Sequence, residues 1–153
     1  MRYLGVFLLF FFSSSFSFGQ SQTLNGMELN GPMGYTKLGN LHWAKGDNHI
    51  MVVSVEGLYD IERLISKPSR GSTYIESLSL NISGQTYRLG IHEGKNGLSI
   101  GCIGIHKNGF TYGIWSAISP FDFTGTDAEI QQSTAQEMGR VLGYMLGAFT
   151  FYD

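Results

Sequence analysis

The chain has 153 residues, a formal net charge of −2 and 14% charged residues. That length suits one domain, and its apolar content is that of an ordinary globular protein. The slightly negative balance, with no Lys/Arg cluster, argues against a nucleic-acid binder held by phosphate contacts.

Residues 1–19 read as a secretory signal peptide. Met1-Arg2-Tyr3 is a short positive start, Leu4 to Phe12 is an unbroken apolar run, and Ser17-Phe18-Gly19 supplies small residues before a cut at Gln20. The run is too short to span a hydrocarbon core of ~30 Å, so no stable membrane span is expected after its removal. The destination is secreted or periplasmic. The single cysteine, Cys102, excludes an intramolecular disulfide. Its place between Ile100 and Ile103 marks a buried small hydrophobe rather than a nucleophile.

Residues 20–33 are polar and Gly-rich and read as a flexible N-terminal extension. Residues 34–153 then form a single α+β domain. Tyr35 to Ala44 reads as a first strand, and Lys45-Gly46-Asp47-Asn48 as a turn. His49 to Glu56 is a second strand. Leu58 to Ser66 carries Leu58, Ile61, Leu64 and Ile65 at helical spacing and is ended by Pro68. Tyr74 to Ile82 is a strand closed by Ser83-Gly84.

The segment from Gln85 to Ile118 organises the rest. It predicts three strands, roughly Thr86–His92, Leu98–His106 and Phe110–Ile118, joined by Asn96-Gly97 and Asn108-Gly109. Asn-Gly supplies the positive φ values that type I′ hairpin turns require. The middle strand is apolar on both faces, which predicts cover on both sides. Gly90, Gly101, Gly104 and Gly113 lie inside strands, where glycine marks a bulge, a bend or the close approach of another backbone.

After Ser119-Pro120 comes a loop carrying Phe121, Asp122 and Phe123. Thr126 and Glu129 have the spacing of a capping box, which starts a long helix to about Gly147. Its apolar face is predicted as Ala135, Met138, Leu142, Met145, Leu146 and Phe149. Gly139, Gly143 and Gly147 repeat along one edge, each costing about 1 kcal/mol against Ala. Close packing of the helix on the glycine-rich strands would offset that cost. A homodimer seam through the same three glycines is the alternative. The predicted order is β-β-α-β-β-β-β-α: an antiparallel sheet of about six strands with helices packed on it. A β-barrel-like meander with a C-terminal helix is the competing fold.

This order resembles the PsbP-like α/β/α sandwich. The likeness is carried by NHIMVVSVEGLYDIERLI, by SLSLNISGQTYRLGI, and by FTYGIWSAISP followed by the helix from Thr126. Photosystem accessory proteins, a Ran-binding nuclear import factor and many bacterial exported proteins share that fold. The resemblance implies a non-catalytic binding or accessory protein.

The four histidines, His42, His49, His92 and His106, form neither H-x-H nor H-E-x-x-H, so no metal spacing is present. His42 and His49 flank one hairpin and are placed to face each other. No cofactor motif and no catalytic set is legible. The aromatic excess suggests a ligand site around Trp115, Phe121, Asp122 and Phe123, for an apolar small molecule or a partner protein. A small hydrolase-like enzyme using His92, His106 or Asp122 is the second expectation, and a homodimeric structural protein the third.

Overall fold

The structure, a computed structural model, describes residues 29–151. The signal peptide expected over residues 1–19, most of the expected extension and the last two residues lie outside the described residues.

Seven antiparallel strands form one sheet: β1 (Thr36–Gly39), β2 (His42–Lys45), β3 (Asn48–Glu56), β4 (Ser72–Ile82), β5 (Gln85–Gly94), β6 (Ser99–Lys107) and β7 (Phe110–Ile118). Their spatial order is β1-β2-β3-β7-β6-β5-β4, so β1 and β4 are edges and the sheet is open rather than barrel-like. A short helix α1 (Ile61–Ser66) follows β3, and a long helix α2 (Asp127–Phe151) closes the chain. The fold is α+β, with seven strands in place of the six expected. The extra strand arises because Tyr35–Ala44 is not continuous. Leu41 adopts φ 61°, turning the chain between β1 and β2.

The hairpin turns follow their sequence. Asn108 and Gly109 sit at φ 52° and 82°, and Ser83 and Gly84 at 52° and 81°, the paired positive values of a two-residue turn. Asn96 and Gly97 are likewise positive, within a 3-10 turn over Lys95–Gly97.

The two helices lie on opposite faces. On one face Ile50, Val52, Ile103, Ile105, Tyr112, Ile114 and Ile118 meet Met138, Val141, Leu142, Met145, Leu146 and Phe149 of α2. On the other, Met51, Val53, Ile100, Cys102, Trp115 and Ala117 form a second cluster with Ile65 of α1. This is why the middle strands are apolar on both sides. Within the sheet, glycines make room for the helices. A Cβ on Gly90 would fall on the Ile65 carbonyl oxygen, one on Gly104 would lie 2.8 Å from Ile61, and one on Gly101 2.6 Å from Met138.

The helix glycines do the opposite of what was expected. A Cβ at Gly139, Gly143 or Gly147 would meet nothing within 4 Å. At ~100° per residue these positions turn away from the stripe that α2 buries, so they play no part in helix-on-sheet packing. Ala135 is exposed, while Thr134 and Val141 complete the buried stripe. The capping box is present: Thr126 Oγ1 accepts from the Glu129 amide at 3.3 Å, and Glu129 accepts from the Thr126 amide at 2.7 Å. The helix runs past Gly147 to Phe151. At α1, Asp60 is the N-cap, accepting from the Glu62 amide at 2.9 Å, and Leu58 lies outside the helix with 74% exposure.

The packed body begins before residue 34. Leu29 is buried among the α2-side core, and Gly31 lies so close to Trp43 that a Cβ would stand 2.5 Å from the indole. Arg140 joins this segment to α2, donating to the Met33 carbonyl at 3.3 Å and to Glu137 at 2.5 Å. Burial, with the Glu137 carboxylate beside it, pushes the Tyr35 hydroxyl up to about 12.

Candidate functional site

The loop singled out in the sequence does not assemble a site with Trp115. Trp115 is buried in the cluster on the α1 side of the sheet, whereas Phe123 packs against the α2-side core. Phe121 and Asp122 sit on a 3-10 turn over Pro120–Asp122, with Phe121 75% exposed. Ser119 Oγ accepts from the Phe121 amide at 3.2 Å, and Asn48 holds the Ser119 amide at 2.8 Å. The turn is therefore well anchored and presents one bare aromatic ring.

The histidines separate into three places. His42 and His49 face each other as expected: Nε2 of His42 and Nδ1 of His49 share a proton across 2.8 Å, with the rings stacked. Burial lowers both pKa values, and His49 falls to about 4 because a charge on His42 adds to the burial. Both imidazoles are neutral at pH 7, and the pair reads as a satisfied hydrogen bond within the fold. His92 is buried against Tyr74 and Trp115, and its Nε2 donates to the Ile65 carbonyl at 2.6 Å. His106 is exposed at the opposite end of the sheet, with Nε2 donating to the Tyr59 carbonyl at 2.7 Å.

His92 pairs with Ile100, six positions along β6 from His106. At ~3.3 Å per residue the two rings are roughly 20 Å apart. They form no joint acid–base site, and Asp122 follows the Ile118 end of β7, away from His106. Burial raises the Cys102 thiol well above its ordinary value, which removes the thiolate a nucleophile needs. Among the described residues, no group of three or more His, Cys, Asp or Glu is placed to hold a metal ion.

The feature with binding geometry lies elsewhere. The β5–β6 ladder runs from Glu93↔Ser99 to Arg88↔Gly104 and stops there. Each strand nevertheless continues beside its other neighbour: β5 with β4 to Gln85↔Ile82, and β6 with β7 to Lys107↔Phe110. The β4–β5 and β6–β7 hairpins therefore part below Arg88 and Gly104. An open cleft of about 540 Å³ lies between them, lined by Ile61, Gln85–Arg88 and Gly104–Lys107.

Its walls are firmly positioned. Arg88 Nε pairs with Glu62 of α1 at 2.5 Å, and its Nη1 donates to Ser79 at 2.7 Å. Lys107 Nζ donates to the Phe149 carbonyl at 2.5 Å, near the negative end of α2. Thr111 Oγ1 accepts from the Tyr59 amide at 2.7 Å and donates to the Gly57 carbonyl at 2.9 Å, which fixes the segment leading into α1. The bond from His106 Nε2 to the Tyr59 carbonyl holds the ring against the segment leading into α1.

Sequence reasoning picked out His106 but not Gln85, Thr86, Tyr87, Arg88, Ile105 or Lys107. The signal, if any, was the polar start of β5, Gln-Thr-Tyr-Arg, ahead of its apolar half. Comparison with protein-family models, with curated proteins and with solved structures finds no match. No helix among the described residues is long and apolar enough to cross a membrane.

Proposed function

We propose that this chain is an exported, non-catalytic binding module whose ligand site is the cleft between the parted hairpins. One observation carries this reading. Two strands that pair over six positions separate while each keeps its other partner, leaving a concavity of about 540 Å³ with polar walls. Ligand sites commonly fall in the 300–1,000 Å³ range. Export is supported by the apolar run Leu4 to Phe12 and the small residues before Gln20. The layering of α1, sheet and α2 supports placing the chain with the PsbP-like sandwiches, whose members are mostly binding or accessory proteins.

The test is a fragment titration of the ¹⁵N-labelled chain beginning at residue 20, followed by amide shifts. Small amides and aromatic alcohols are expected to move Ile61, Gln85–Arg88 and Gly104–Lys107 together. Scattered shifts, or none, overturn the assignment. The exposure of Phe121 favours a second reading, in which the Pro120–Asp122 turn meets a partner protein. Shifts confined to Phe121–Phe123 would select it.

A further inference from the structure

The two edges of the sheet differ in how they meet solvent. β1 is four residues long, carries Lys37 and shifts register between Lys37 and Gly39. Shortness, a lysine and a bulge are the devices that keep an edge from pairing with another chain. β4 runs for 11 residues and has a neighbour only on its β5 side. It holds no lysine and no proline, and Glu76 is its one charged side chain. Its register shift falls between Tyr74 and Glu76, which leaves Glu76–Ile82 as an unbroken open edge.

Hairpin geometry settles which backbone groups that edge presents. Ile82 and Gln85 flank the two-residue turn Ser83-Gly84 and so form a hydrogen-bonded pair. By alternation Leu80 bonds to Tyr87 and Leu78 to Leu89, while Ser77, Ser79 and Asn81 direct their N–H and C=O groups outward. Side chains alternate as well. Leu78, Leu80 and Ile82 lie on the α2 side of the sheet, but α2 packs mainly on β7 and β6, and Leu78 is left 40% exposed. Ser77 and Ser79 lie on the α1 side, their hydroxyls bonded to Tyr74 at 2.8 Å and to Arg88 at 2.7 Å.

We propose that this edge joins two copies of the chain, paired antiparallel about a two-fold axis through Ser79. An occupant of the edge must be a strand with apolar side chains on the α2 side and small polar ones on the α1 side. Glu76–Ile82 has that pattern itself, and a two-fold axis normal to the sheet reverses the strand while keeping each face with its like. The axis at Ser79 engages all of the outward residues. Ser79 meets the partner's Ser79 and Ser77 meets the partner's Asn81, each pair exchanging both main-chain bonds. On the α2 side Leu78 meets the partner's Leu80. The two Glu76 carboxylates fall at opposite ends of the seam, so no like charges face each other. Such a contact closes on itself and uses up an edge that would otherwise template open aggregation. It is separate from the cleft, which lies on the far side of β5.

The chain beginning at residue 20 tests this, by sedimentation across a concentration series and by amide hydrogen exchange. Glu76–Ile82 is short beside the ~20–30 residues a side of a standard interface, so the expected dimer is reversible and micromolar. On dimerisation the Ser77, Ser79 and Asn81 amides are expected to slow, whereas those of Leu78 and Leu80, already bonded to β5, keep their rates. Ser79→Pro removes an outward N–H that serves no β4–β5 bond, and Leu78→Lys puts a charge into the seam. Each is expected to weaken the dimer about tenfold or more while leaving the monomer's unfolding midpoint close to that of the parent chain.

A chain that stays monomeric into the hundreds of micromolar overturns the proposal. A dimer unchanged by Leu78→Lys overturns the β4 seam and puts the contact elsewhere on the molecule. Protection that does not alternate along β4 overturns strand pairing, and species that keep growing with concentration overturn the closed two-fold. Should Ser79→Pro fail to fold, Leu78→Lys and the exchange pattern of the unaltered chain decide the matter.

Discussion

His49 shows how a single buried base ties stability to pH. Its folded value lies near 4, below the ordinary 6.5, because the fold strips water from the ring and His42 stands beside it. Between those two pH values the unfolded chain binds a proton that the folded chain refuses. Stability is therefore complete above about pH 6.5 and declines as pH falls. His42 and His92 shift in the same direction through burial. Urea unfolding at pH 7.5 and pH 5.0 is expected to show a loss on the order of 2 kcal/mol at the lower pH. A flat profile would mean that the His42–His49 pair is hydrated in solution. Gly90 makes a comparable point about size: its missing side chain is where the Ile65 carbonyl sits, and that same carbonyl accepts from His92.

At the scale of elements, much was legible. Phe110–Ile118 matches its predicted bounds, and the capping box at Thr126 and the paired turn residues Asn108-Gly109 act as their chemistry demands. These signals are local, so the sequence contains all of their causes. The parting of β5 from β6 is not local. It depends on where two hairpins sit in space, and no run of residues near Thr86 or His106 encodes it. Leu41 misled for a related reason, since a leucine at φ 61° departs from the usual preference for glycine or asparagine.

The glycines of α2 misled differently: their spacing matched a packing seam, yet they point outward. Gly139 and Gly143 consequently carry the cost of helical glycine with no compensating contact in the described structure. Gly139→Ala with Gly143→Ala is expected to raise stability by about 1–2 kcal/mol in denaturant unfolding. Loss of stability together with loss of a dimer on sizing would instead reveal a seam between two copies.

At the scale of the whole molecule, the body is three-layered and is closed at one edge by its N-terminal segment. Leu29 is 2% exposed, in contact with the α2-side core. Leu29→Ala is expected to cost about 2–4 kcal/mol in thermal or urea unfolding. A change below about 0.5 kcal/mol would detach this segment from the core.

The sheet order also fixes a sequence of events in time. Strands β4 to β7 follow one another through short turns, so each can zip onto its predecessor within a local search. β3 must instead locate β7 across the whole intervening meander, a closure with a larger entropic barrier. Refolding should thus begin in the region from Ser72 to Ile118, with residues 36–56 docking late and first to be released when the native state opens.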